Sequence, residues 1–413
     1  EMKYIFERTW SFLAIESQIA KPNDFVTATI GRTPVMVTRT PAREIKAFIN
    51  ACRHKGATVC RTEQGNAKYH VCPYHGWAYD SSGKNVDIKD RKSGCYAPAF
   101  DAVNHDLLPL AKVAGYKGLI FGSLSADVPP LEDFLGDMKF FLDCVMDQGP
   151  QGMEFLPGRI AYSYRGNWKL QLDNGLDPYH LTSTHTSFIE VQNRRRGGAG
   201  NVEAKQFDWE KRAATRGGNF GFSNGHSIVW NDHPQPGNRP IYPSNQEIRS
   251  RVGETRANWI LTKLRQSTIF PNMQIPEAIS QLLRTFQPLA VDRTMMRVYC
   301  LAPIGEKPEF RAWRLRQFED FFNPTGIATP DDVATYEECQ RGFAGQSDWM
   351  QGYARGMTQI DRGENEVTRE IGIRPAESVV GRFEMQSEVG FHACHREWAR
   401  LMEAGLAGRK AYQ

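Results

Sequence analysis

The sequence predicts an α+β protein in two parts, a small all-β domain followed by a larger domain in which helices and strands alternate. Three observations predict it. The chain has 413 residues, more than a single hydrophobic core usually organises. From about Phe25 to Phe121 it reads as short apolar runs broken by turn residues, which is the mark of strands. After Pro129 and Pro130, apolar residues begin to recur at helical spacing.

In the first part the expected strands are Phe25–Ile30, Val35–Thr40, Tyr69–Val71 and Leu119–Phe121, with the turn from Gly31 to Pro34 joining the first two. Leu131, Phe134, Leu135, Met138, Phe141, Leu142 and Val145 then mark a helix opened by the two prolines. Further helices are expected over Thr255–Gln266, Ala312–Phe322 and Phe391–Ala404, and a strand over Thr294–Leu301. Two segments read as surface loops: His233–Pro243, with four prolines, and Arg194–Asn201, with three arginines and three glycines.

Composition excludes several classes of function. Hydrophobic residues at 40% and charged residues at 24% are ordinary for a globular chain, so neither disorder nor a fibrous repeat is indicated. A net charge of +4, with no basic run interleaved with aromatics, argues against nucleic acid as a partner. We find no apolar stretch of membrane-spanning length and no signal-peptide pattern, so the expectation is a soluble, cytoplasmic protein without a membrane partner. The chain opens with Glu1 and Met2, and further residues before Glu1 are expected. Eight cysteines without paired spacing fit a reducing compartment rather than a disulfide framework.

Two of those cysteines stand in the pattern Cys52-x-His54 and Cys72-x-x-His75, one thiol and one imidazole in each of two short loops. A Rieske [2Fe–2S] cluster needs two thiolates on one iron and two imidazoles on the other. A structural zinc ion also accepts two Cys and two His, but zinc sites usually group like with like, whereas here seventeen residues separate two mixed pairs. The second constellation runs from Asp173 through Asp177 and His180 to His185. Two neutral imidazoles and a distant carboxylate can hold one face of a ferrous ion and leave positions open. Residues five apart stand about 140° round a regular helix, so these histidines converge only where the helix breaks, and Pro178 supplies irregularity nearby. A pair of core or helix-capping histidines would give the same pattern.

Together the two constellations resemble the large (α) subunit of Rieske non-haem iron ring-hydroxylating oxygenases. The resemblance covers nearly the whole chain and is nearest to the benzoate, halobenzoate and anthranilate dioxygenases. It is carried by Glu1–Glu7, Asn50–Thr58, Tyr116–Leu124, Gly166–Leu170 and Phe318–Asp332, along with both ligand patterns. It implies a Rieske domain over residues 10–128 and a helix-grip catalytic domain, an antiparallel sheet with helices, over 129–413 together with 1–9. Cys52 and Cys72 would hold one cluster iron, His54 and His75 the other, with Trp77 as an aromatic shield. His180, His185 and Asp332 would bind the mononuclear Fe(II), Asp332 being chosen over its neighbour Asp331. Asp177 would be the carboxylate that links His180 to His75 of the partner subunit. Phe322 and Ala328 map to pocket positions, and Phe188 and Arg284 are further candidates, the arginine as a partner for a substrate carboxylate or as a structural residue on a strand.

The implied activity is incorporation of O2 into an aromatic carboxylate by cis-dihydroxylation, with electrons drawn from NADH through a reductase, with or without a ferredoxin. The implied partners are a small β subunit and further α subunits in a trimeric ring, α3β3 or α3. Two departures bear on the substrate: Asp173 stands where benzoate-type members have Glu, and Thr186–Gln192 is nearer to salicylate-type oxygenases. A salicylate-type monohydroxylase is the rival among enzymes. An electron carrier or a zinc-stabilised binding protein is the rival from another class, and would have one metal site rather than two.

Overall fold

The computed structural model describes residues 1–197, 211–212, 214–345, 352–382 and 387–412. Packing divides the chain into two compact units, one of residues 1–131 with 404–413 and the other of residues 132–403. This grouping differs from the expected boundaries at the ends, since residues 1–9 and 404–413 pack with the first unit.

Three small antiparallel sheets build the first unit. The largest pairs Asp24–Ile30 with Thr33–Arg39 across the predicted turn, flanked by Ile45–Ile49 and Gln64–Asn66. A second joins Tyr69–Val71, Ala78–Asp80 and Asn85–Asp87, and the third sets Leu119–Ser123 between Ser11–Ile15 and Lys112–Tyr116. Phe25, Met36, Phe48, Trp77 and Tyr79 form one buried core with Cys52 and Cys72, so both cluster loops are anchored by their cysteines.

The second unit is organised on a nine-stranded antiparallel sheet whose longest strands are Leu282–Ala290 and Arg293–Pro303. The Val389–Leu406 helix lies against its far strands: Ser227 Oγ donates to the Gly390 carbonyl at 3.0 Å, and Cys394 Sγ to that of Gly225 at 3.2 Å. This is the helix-grip arrangement. The periodic segment after Pro130 forms Leu131–Leu135 and Lys139–Met146, interrupted by one tight turn at Gly136–Met138.

Three expectations change. The helix expected over Thr255–Gln266 is Glu254–Thr262, and Lys263–Ile269 is a strand. Leu264 continues a helical spacing, but Asp232 through Ser227 offer a complete ladder to Lys263 through Thr268, and pairing overrides local periodicity there. Arg194 to Gly197 complete the helix Thr186–Gly197 instead of opening a surface loop, and residues 198–201 lie outside the described residues. His233–Pro243 is irregular as expected, yet His233, Arg239 and Ile241 are buried. Among the described residues no helix is long and apolar enough to cross a membrane.

Candidate metal centres

The two cluster loops are built alike. Cys52 N–H donates to the Ala57 carbonyl and Gly56 N–H returns to that of Cys52, at 2.8 and 2.9 Å. Cys72 N–H donates to the Trp77 carbonyl and Gly76 N–H to that of Cys72, at 2.8 and 3.0 Å. Each turn closes on a glycine four residues after the cysteine, at φ +76° and +73°, a conformation L side chains avoid. That shared Cys-x-x-x-Gly spacing is a sequence signal beyond the ligand pattern itself.

The turns bring the two imidazoles together, His54 Nδ1 to His75 Nδ1 at 3.0 Å, while both cysteines are buried beneath. Trp77 stacks on His54 at 5.1 Å between centroids and 8° between planes. Tyr79, which carried no motif, reaches Cys52 Sγ at 3.3 Å and accepts the Arg53 N–H at 3.1 Å. A phenol at that place donates to the ligand sulfur, and such hydrogen bonds tune a cluster's potential. Burial pushes the Cys52 thiol up, so the thiolate form needs a cation beside it. The donor set therefore fits a Rieske cluster.

The second centre gathers donors from separate elements. Asn167 caps the Trp168–Asn174 helix. His180 opens a single turn, Leu181–Thr184, and His185 closes it at φ −101°, ψ 34°, before the next helix begins at Thr186. This is the break that the spacing required, and it turns both side chains inward. Asp332 comes from the first turn of the Thr329–Phe343 helix, started by Pro330. His180 Nε2 and His185 Nε2 lie 3.2 Å apart, and Asp332 Oδ1 lies 3.5 and 3.2 Å from them. One donor atom from each residue falls within 4.8 Å of the others. Asn174 Nδ2 donates to Asp332 Oδ1 at 3.0 Å.

Each imidazole turns its other nitrogen to a carboxylate. Asp177 Oδ2 lies 3.2 Å from His180 Nδ1, and Asp331 Oδ2 lies 3.5 Å from His185 Nδ1. Neither Nδ1 meets hydrogen-bond geometry with a described residue, but a carboxylate on that side favours the proton on Nδ1 and so leaves Nε2 for a metal. Burial opposes the His180 cation, but Asp177 and Asp332 outweigh it and hold the pKa above its ordinary value. Burial likewise works against the Asp332 carboxylate, and His185 and His180 bring it below the usual range. Two nitrogens and one oxygen converging in a site where Asp332 is 6% and His185 2% exposed fit a mononuclear iron.

A buried apolar cluster abuts this triad. Phe321 meets the His185 ring at 5.6 Å and Phe188 at 4.6 Å, and Phe322 and Ala328 belong to the same buried cluster with Leu282, Val298 and Cys300 from the sheet. Arg284 is not in that cluster; it is buried two residues beyond Leu282 on the same strand, its Nε donating to Gln274 Oε1 at 3.0 Å. A cleft lined by Phe188, Gln192, His233, Ile279 and Gln317 lies beside that cluster, so the segment expected on the surface contributes a wall.

Residues 9–105 match the model of the Rieske [2Fe-2S] domain, and residues 156–404 match that of the ring-hydroxylating α subunit catalytic domain. The chain is a member of the ring-hydroxylating oxygenase α subunits. It is 41% identical to the α subunit of toluate 1,2-dioxygenase from Pseudomonas putida over 97% of this chain and 87% of that one. It is 39% identical to the large subunit of 2-halobenzoate 1,2-dioxygenase from Burkholderia cepacia, over 98% and 87%. Among solved structures, naphthalene 1,2-dioxygenase from Rhodococcus sp. superposes with a TM-score of 0.82 at 28% identity, covering 98% of this chain and 91% of that one. The family carries a Rieske cluster and a mononuclear iron, and a ring-hydroxylating α subunit is an enzyme.

Proposed function

We propose that this α subunit adds O2 to a small aromatic carboxylate. O2, two electrons and two protons add across one ring bond to give a cis-diol that keeps both oxygen atoms. When bound, the cluster would supply single electrons and the mononuclear iron would supply open positions for O2 beside the ring. Cys52, Cys72, His54 and His75 hold the cluster within a domain of residues 10–128, and His180, His185 and Asp332 hold the mononuclear iron. Asp177 orients His180 through Nδ1 and meets His75 of the partner subunit, so the working unit is a ring of α subunits with a small β subunit. The oxygenase works in the cytoplasm, where a reductase, with or without a ferredoxin, brings electrons from NADH. Phe188, Phe322 and Ala328 enclose the ring and exclude water, and Arg284 is the candidate partner of its carboxylate.

The observation that carries this reading is the convergence of three metal donors, two of them buried, beside a buried cluster of aromatic side chains. The names of its relatives, acting on toluate and 2-halobenzoate, support the substrate class. The test is an assay with the small subunit, a reductase and NADH, in which ortho- or para-substituted benzoates are oxidised in preference to the matching neutral arenes and yield a cis-diol or a catechol by mass and NMR. A phenol would favour the salicylate-type reaction, and equal turnover of toluene would overturn the carboxylate claim.

A further inference from the structure

Strand pairing fixes what surrounds Asp332. Arg284 sits opposite Val298, and Val298 sits opposite Ile160. Tyr162, two residues from Ile160, therefore shares their face of the sheet, which is also the face that gives Leu282, Val298 and Cys300 to the buried apolar cluster. From the other side the Thr329–Phe343 helix brings Asp332 and, four residues on and so on the same helical face, Tyr336. The Tyr336 ring packs on Tyr164 at 5.0 Å and is 4% exposed, yet its hydroxyl has no hydrogen-bond partner among the described residues. A buried, unsatisfied hydroxyl costs stability, so one that persists at a site of chemistry asks for a reason.

Arg284 poses the same question with a charge. It is 5% exposed, and among the described residues only its Nε has an acceptor, Gln274 Oε1. That acceptor is rigid. Gln274 Nε2 donates to the Leu172 carbonyl and to Thr268 Oγ1, both at 3.0 Å, and the backbone of Gly175 lies on its amide so closely that a Cβ there would come within 2.1 Å. The guanidinium is thus held along one edge, leaving its paired terminal nitrogens available. Its charge acts on Asp332, Tyr162 and Tyr336. Once Asp332 is committed to a metal ion, the buried guanidinium lacks an anion of its own, which is unfavourable unless a ligand supplies one.

Resting on the aromatic-acid reading, we infer that Arg284 and the Tyr336 hydroxyl form the subsite for the substrate's carboxylate, beside the triad and not in the neighbouring cleft. A carboxylate there offers planar acceptors to the free edge of Arg284 and takes the unused proton of Tyr336. It also fixes which end of the ring faces the metal, presenting the carbon that bears the carboxylate and its neighbour. Buried donors exist in the cleft too, Ser280 Oγ and Gln281 Nε2, and they form the competing location.

The experiment is equilibrium binding of benzoate and of toluene, its neutral counterpart, to the assembled oxygenase without reductant or O2. Wild type binds benzoate more tightly than toluene. Tyr336→Phe weakens benzoate about 10-fold and leaves toluene within about 2-fold, because a hydrogen bond to a charged group is lost from one ligand only. The same substitution removes an unpartnered hydroxyl, so its thermal midpoint stays at or above that of wild type, which separates binding from folding. Arg284→Met weakens benzoate about 100-fold or more, and Arg284→Lys restores part of the loss. If Tyr336→Phe and Arg284→Lys both bind benzoate as wild type does, the subsite is wrong while the aromatic-acid reading stands. If wild type binds toluene as tightly as benzoate, the reading beneath it fails.

Discussion

The two metal centres of this chain are assembled in opposite ways. At the cluster loops, the four proposed ligands come from two turns of the same design, and the cysteines are buried while His54 is exposed and His75 half-buried. At the triad, the proposed ligands come from a broken helix and from a second helix far along the chain, and Asp332 and His185 are buried. The difference teaches what each centre is for. A cluster that exchanges electrons with other proteins gains from imidazoles at the surface, whereas chemistry with O2 gains from a site that excludes water. Carboxylates behind the imidazoles are a second contrast: Asp177 and Asp331 back the triad, while Trp77 and Tyr79 attend the cluster.

If the centres are separable in this way, the sharpest break comes from Asp332→Ala. It should abolish oxygenation and leave the visible spectrum of the cluster unchanged, as should His180→Ala and His185→Ala. A spectrum lost along with activity in all three would show that the centres are not independent. Next in size is Asp177→Asn, expected to lower steady-state turnover at least about 100-fold while the iron content stays near wild type. Normal turnover in that variant would remove Asp177 from the route between centres. The smallest effect belongs to Asp331→Ala, about 10-fold in activity with most of the mononuclear iron kept, because it loses the carboxylate behind His185 and the hydrogen bond that carboxylate accepts from Ser187, and no donor of the triad. Were Asp331→Ala to lose the iron and Asp332→Ala to keep it, the ligand would be Asp331.

The same contrast explains what the sequence disclosed. The cluster ligands are legible because ligand and turn residues lie within a few positions of one another, and even the closing glycines, Gly56 and Gly76, are local. His180 and His185 are legible as a pair, but their convergence depends on the break at His185, which no single neighbour dictates. Asp332 reaches them through tertiary packing alone, so spacing could not select it and only the family resemblance did. Tyr79 and Tyr336 carry no motif; for Tyr336 the one available signal was its place four residues after Asp332. The strand Lys263–Ile269 was hidden because its apolar residues continue the preceding helix's rhythm, and the ladder that claims them is non-local.

The most direct test of the central claim, two distinct iron centres in one chain, is metal and sulfide analysis of the purified protein. The account predicts about three irons and about two acid-labile sulfides per chain with a Rieske-type visible spectrum, falling to about two irons in Asp332→Ala with sulfide and spectrum intact. Zinc in place of iron, or a wild-type chain holding only the two cluster irons after iron loading, would contradict it.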